Sequence, residues 1–187
     1  MKTLFEHKVF QKYDFDNEFI HEYSDCTFTN CNFFKVEFDS ARFEDCKFIS
    51  CDLSMVKFGN TVLQNIEFSQ CKLMGIDFSK CSKSLFSVSF DECILDYAVF
   101  VKNNLKNTVL KNCRMLGTSF IEVNLTAAAF VRCDLAKAVF DRSNLEKADF
   151  TTSWSYSINP EANKLKKTKF SLPEIVGLLN NLDIVIE

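Results

Sequence analysis

Residues 26–55 read CTFTN CNFFK VEFDS ARFED CKFIS CDLSM when cut into fives. The third place of every block is a large apolar residue: Phe28, Phe33, Phe38, Phe43, Phe48 and Leu53. The first place is smaller: Cys26, Cys31, Val36, Ala41, Cys46 and Cys51. The remaining places are mostly polar. Followed outward, the large series begins at Tyr23 and continues through Phe58, Leu63, Phe68 and Leu73 to Phe78. There the frame slips by two residues, and a second series starts at Leu85 and reaches Phe150 by way of Phe90, Phe100, Phe120, Phe130 and Phe140.

A period of five matches neither the 3.6 of a helix nor the 2.0 of a flat strand, so neither element keeps such a series on one buried face. A chain that turns a corner at every repeat does. Four repeats close a square coil of 20 residues, and the sequence also recurs at that longer period: Phe28, Phe48 and Phe68, then Leu105, Leu125 and Leu145. Stacked coils place these residues in ladders at a strand spacing of about 4.8 Å. The expected architecture is an all-β solenoid.

Blocks such as CDLSM, CNFFK, ADFTT, SNLEK and CDLAK resemble the A(D/N)LXX repeat of the pentapeptide-repeat family over about residues 23–150. The resemblance implies a right-handed quadrilateral β-helix. Within it, residues 1–157 are expected to form the β-helix, and residues 1–22 an irregular N-terminal cap coil. In the cap, Phe5, Phe10, Phe15 and Ile20 keep the spacing while Lys8, Tyr13 and Glu18 occupy the small place. The slip near 79–84 is expected to be a kink or small loop, with Lys83 standing where an apolar residue belongs.

Composition bounds the function. The 187 residues are 47% hydrophobic and include 21 Phe but one Trp, four Gly and two Pro, the bias of a repeat rather than of a disordered chain. No apolar run reaches the roughly 18 residues of a membrane helix, and MKTLFEHKVFQKYDF has charges in place of a signal-peptide core. A cytoplasmic location, without membrane contact, is expected. The nine cysteines are an odd count, spaced mainly in multiples of five with no CxxC, and the only histidines are His7 and His21. That pattern lacks zinc-ligand spacing, so the thiols read as dense core filler. No Gly-rich phosphate loop, GxSxG or HExxH occurs, so no enzyme activity, cofactor or metal is expected.

After Phe150 the repeat stops, and residues 158–187 read as a separate capping and dimerisation tail. Ser171 and Glu174 have capping-box spacing and Pro173 suits an early helical position, which predicts a short α-helix over about 172–180. Leu172, Ile175, Val176 and Leu179 share its apolar face and Leu178 widens it; Leu182, Ile184, Val185 and Ile186 extend it. This segment either folds back on its own chain or meets a second copy, and a self-complementary patch most readily makes a two-fold dimer. The tail is also similar to those of Qnr-type quinolone-resistance and microcin B17 immunity proteins, in which it is the dimerisation module.

That narrower resemblance implies a non-enzymatic DNA mimic that binds type II topoisomerases, DNA gyrase or topoisomerase IV, and gives quinolone resistance or toxin immunity. Seven coils at about 4.8 Å make a rod of about 34 Å, and a tail-to-tail pair approaches 70 Å, or about 20 base pairs. Residues 14–52 hold ten acidic and three basic residues. Asp25, Glu37, Asp39, Glu44, Asp45 and Asp52 fall in outward places there and form the candidate acidic surface. Residues 99–142 hold seven basic and three acidic residues, so the charge is segregated along the chain. A scaffold that docks an unknown protein fits the repeat equally well. Direct nucleic-acid binding is not expected, because basic and aromatic side chains do not interleave.

Overall fold

The computed structural model describes residues 3–15, 22–182 and 184–185. The chain winds into a right-handed quadrilateral β-helix of about seven turns, in which every strand pairing is parallel. The large residue of each repeat points inward, and the core is one continuous column.

Four faces result. On the first, strands Leu4–Glu6, Glu22–Ser24, Arg42–Glu44 and Val62–Gln64 form a sheet with Phe5, Tyr23, Phe43 and Leu63 in register. It resumes beyond the slip as the bridges Asn104–Asn124–Asn144–Lys164. The second face is a seven-stranded sheet whose strands run from Val9–Gln11 to Ala129–Val131. The third is held by single bridges, among them Asn32–Asp52–Lys72 and Ile94–Arg114–Asp134. The fourth includes the sheet Val99–Val101, Ser119–Ile121 and Val139–Asp141.

The aromatic bias follows from this stacking. Along the second face the ring centroids of Phe10 and Phe28, Phe28 and Phe48, and Phe48 and Phe68 lie 4.9, 4.7 and 5.1 Å apart with the rings near parallel. A flat ring fills a 4.8 Å layer without a void and meets its neighbour in an attractive offset stack.

The small place does more than save room. Many hydrogen-bond donors there reach a main-chain carbonyl of the preceding turn: Cys71 Sγ to Phe48 O at 3.3 Å, Thr118 Oγ1 to Leu95 O at 2.8 Å, and Ser143 Oγ to Phe120 O at 3.0 Å. Those carbonyls point into the apolar interior, where an unpaired acceptor is costly. Most corners are turned two residues after a large residue, at positive φ, as at Asp25 (53°), Lys102 (56°) and Gly75 (68°). The ladder holds these residues in the left-handed region, since most corner N–H groups are paired to the next turn, for example Asp25 N to Glu44 O at 3.0 Å.

The slip differs in detail from the sequence expectation. Phe78–Lys80 forms a 3-10 turn capped by Asp77, whose carboxylate accepts from Ser79 N at 2.9 Å. The two extra residues are absorbed before Phe86, so Phe86 enters the core and Leu85, at positive φ, is 58% exposed. Phe86 wins because its ring packs edge-on against Phe78. Lys83 leaves the core and donates from Nζ to Val101 O at 2.8 Å. In the N-terminal stretch Phe5, Phe10 and Phe15 pack on the core, and Leu4–Glu6 and Val9–Gln11 are strands of the ladder; Glu18 and Ile20 lie outside the described residues.

The ladder also runs past the pentapeptide pattern. Asp134 bridges Trp154, Asn144 bridges Lys164 and Asp149 bridges Lys169, while Ser153, Ile158 and Asn163 fill the small place. The expected α-helix over 172–180 is instead a 3-10 turn at Ile175–Leu178. Glu174 does not complete a capping box: its carboxylate accepts from Ser155 N at 2.9 Å. Gly177 O accepts from Ile158 N at 3.0 Å, which ties the segment to the last turn and prevents it from winding as a free helix.

Candidate protein-interaction surfaces

The six acidic candidates are on three faces rather than one. Asp25, Glu44 and Asp45 lie on the first face and its corner, Glu37 and Asp39 on the fourth, and Asp52 on the third. Most are engaged within the chain. Asp25 contacts His7 Nδ1 at 3.0 Å, Arg42 holds Glu44 at 2.9 Å, Lys57 pairs with Glu37, and Asp45 accepts from Asn65 at 2.9 Å. Asp52 accepts from Ser54 N at 2.9 Å, closing its own turn. The structure brings together Asp25, Glu44 and Asp45 and separates the others.

The tail is exposed. Leu172, Ile175, Val176, Leu182, Ile184 and Val185 face outward, with Leu172 and Val185 each 86% exposed. Leu178 packs on the core, and Leu179 is half-buried beside Pro160 and Leu182. Ile186 lies outside the described residues. Gly177 makes this covering possible, because a Cβ there would stand 2.0 Å from Tyr156 O.

Two apolar features escaped the repeat reading. Along the corner between the third and fourth faces, Met55 lies over Gly75 and Tyr97 over Gly117, each glycine leaving room for the large side chain of the preceding turn. On the fourth face the outward places of the three-stranded sheet carry Val99, Val101, Ile121 and Val139, the last 46% exposed. The signal was available in VFV at 99–101, where the flanks of the large residue are apolar instead of polar. An open groove of about 660 Å³ lies nearer the N-terminus, lined by Met55, Phe58, Gly59, Gly75, Asp77 and Lys80.

Cys31, Cys51, Cys71, Cys93, Cys113 and Cys133 form one column down the third face, because the slip carries Cys71 into register with Cys93. Ser153 ends it, accepting from Cys133 N at 3.0 Å. Burial raises the Cys46 thiol to about 12. In the column each inner thiol bonds two others, one bond raising and one lowering it, and with burial Cys71, Cys93 and Cys113 are raised to about 12, whereas the bond with Cys71 lowers Cys51. The raised thiols carry little nucleophilic thiolate. Among the described residues no group of His, Cys, Asp or Glu could hold a metal ion, and no helix is long and apolar enough to cross a membrane.

A family model described as "Pentapeptide repeat region" matches residues 21–82 and 83–177. The chain belongs to the pentapeptide-repeat family. Among solved structures of that shape is full-length QnrB1, a plasmid-mediated fluoroquinolone resistance protein, at 20% identity and a TM-score of 0.62, covering 97% of this chain and 100% of that one. Two trypsin-treated QnrB1 variants match at 21% and 20% identity with TM-scores of 0.62 and 0.64. The first covers 100% of this chain and 98% of its own, the second 97% and 99%. At this identity the likeness concerns the pentapeptide-repeat fold. No curated protein sequence matches.

Proposed function

We propose that this pentapeptide-repeat protein is a non-enzymatic modulator of type II topoisomerase, DNA gyrase or topoisomerase IV, which relieves quinolone or toxin poisoning and works as a cytoplasmic homodimer joined through its C-terminal tail. The observation that carries the reading is the tail. A closed β-helix ends in a segment that presents Leu172, Ile175, Val176, Leu182, Ile184 and Val185 to solvent beside a covered core, which is the chemistry of an end-on two-fold contact. The match to QnrB1 along the whole chain supports the same reading at the level of shape.

In this reading Asp25, Glu44 and Asp45 are the part of the acidic surface that stands in for phosphates, because they share one face. Glu37, Asp39 and Asp52 contribute from other sides. A gyrase supercoiling assay with and without ciprofloxacin, titrated with the protein at low and high salt, tests it. Inhibition or drug rescue that fades with salt is expected; no effect from folded protein at tens of micromolar overturns it.

A second reading, a scaffold that docks another protein, is favoured by the apolar outward positions Val99, Val101, Ile121 and Val139, which mimicry of a polyanion does not require.

A further inference from the structure

On three faces, opposite charges pair. Lys47 meets Glu67, Lys111 meets Asp91 and Lys169 meets Asp149 on the second face. Arg114 meets Asp96 on the third, and on the fourth Lys57 meets Glu37 while Glu122 lies between Lys102 and Arg142. The first face also holds two pairs, His7 with Asp25 and Arg42 with Glu44, but its net charge is separated by end.

Its first turns carry Glu6, Glu22, Asp25, Glu44 and Asp45 in outward or corner positions. Its last turns carry Lys147, Lys164, Lys166 and Lys167, all exposed, against one acid, the half-buried Glu146. Between them stand mostly uncharged groups such as Gln64, Asn104 and Asn124, with the exposed Lys106 the exception and Asn124 Nδ2 donating to Asn104 Oδ1 at 3.0 Å. His7 and Arg42 offset part of the acidic end, but Asp25 and Asp45 still occupy one corner column a single turn apart. Lys147 and Lys167 repeat that stacking at the other end, and among the described residues none of the four lysines makes an ion pair. Like charges stacked at strand spacing repel, so each end keeps a net charge of one sign that an opposite charge from outside offsets.

We infer that the first face is a self-association surface on which two copies lie antiparallel, the acidic end of each against the lysine end of the other. A second copy is the occupant that the charge distribution selects. A two-fold axis in the plane of the contact and perpendicular to the solenoid axis reverses the direction of the partner while keeping the corner columns opposed. It thereby forms the same acid-to-lysine contact twice. Apart from Lys106 the middle of the face is low, since Ser87, Thr126 and Ala127 carry small side chains, and the asparagine amides can donate and accept across the axis. Turns of about 4.8 Å and residues of about 3.3 Å give a face near 34 by 12 Å, so the pair buries about 800 Å² in total. That is the size of a weak, salt-labile contact. It is lateral, whereas the tail contact proposed above is end-on, and it does not depend on the topoisomerase reading.

The test uses the full chain carrying Val185→Asp, so that the end-on contact is removed. One variant adds Lys147→Glu, Lys164→Glu and Lys167→Glu; a second adds Asp25→Lys, Glu44→Lys and Asp45→Lys. Sedimentation equilibrium is run at about 0.01 M and about 1 M ionic strength, where the Debye length falls from about 30 to about 3 Å. The Val185→Asp parent is expected to self-associate only at low salt. Each charge variant alone is expected to remain monomeric, and an equimolar mixture to form a heterodimer at low salt, because both contacts are restored. Circular dichroism checks that every variant is folded. A mixture of folded variants that stays monomeric at low salt, or a parent that associates equally at both salts, overturns the inference.

Discussion

Arg114 straddles the carboxylate of Asp96 one turn below it, with Nε 3.1 Å from Oδ1 and Nη2 2.6 Å from Oδ2. Asp96 is 2% exposed and also accepts from Leu116 N at 3.2 Å, so an acid is held inside the wall of the solenoid by a fork-shaped cation and an amide.

Removing the cation leaves a buried charge without its partner, which is more damaging than loss of an exposed pair. Arg114→Ala is therefore expected to lower the denaturation midpoint more than Lys57→Ala, whose partner Glu37 remains in water. Urea titrations of the two variants make the comparison. Asp96→Asn added to Arg114→Ala should recover part of the loss, because it removes the unpaired buried charge.

Phe120 is fully buried and stacked between Phe100 at 5.3 Å and Phe140 at 4.9 Å. Truncation opens a ring-sized void that neighbouring turns cannot close, since the ladder fixes their spacing. Phe120→Ala is expected to cost about 4 kcal/mol, and Phe120→Leu less, when measured by chemical denaturation.

Cys46, Cys71, Cys93 and Cys113 have thiols raised from near 9 to about 12 in the folded protein. The folded state keeps these protons when the unfolded chain has begun to lose them. Their contribution to stability is therefore present below about pH 9 and disappears as pH rises toward about 12. Alkaline unfolding is the expected outcome, shifted to higher pH by Cys71→Ala and Cys113→Ala together. At neutral pH the native thiols should resist a thiol-specific disulfide reagent that reacts with all nine after denaturation.

Gly177 has no space for a Cβ, because Tyr156 O would stand 2.0 Å away. Gly177→Ala should dislodge the 3-10 turn from the last coil at a cost of about 2 kcal/mol. Faster proteolysis after residue 158, with β-sheet circular dichroism unchanged, is the signature to measure.

Leu182 and Val185 are 52% and 86% exposed. Leu182→Asp with Val185→Asp places charge on the surface that the proposed end-on dimer would desolvate. Light scattering at high salt, where lateral charge pairing is screened, should show a dimer for the parent and a monomer for the variant at equal thermal stability.

The β-helix was legible from Tyr23 to Phe150 because a five-residue period has a single way of burying its large residues, and 20-residue recurrences such as Phe28, Phe48 and Phe68 place like residues on one face. The reading weakened where the periodic signal did. At Leu85 and Phe86 two adjacent large residues competed for one place, and contact with the Phe78 ring decided between them. At 171–174 a good local capping pattern yielded to tertiary pairing of Ser155 with Glu174 and of Ile158 with Gly177. The turn beyond Phe150 was hidden because Ser155 and Pro160 interrupt the large series, although Ser153, Ile158 and Asn163 keep the small one.

By itself the sequence determined the architecture, the inward residues and the structural role of the cysteines, since these depend on spacing along the chain. Only the tertiary structure decided which charges are neighbours. Residues 20 apart along the chain lie one turn apart in space, so Lys111 quenches Asp91, while Asp25 stacks near Asp45 and Lys147 near Lys167. A linear charge count contains the same residues but not their faces, and Coulomb interactions depend on distance in space.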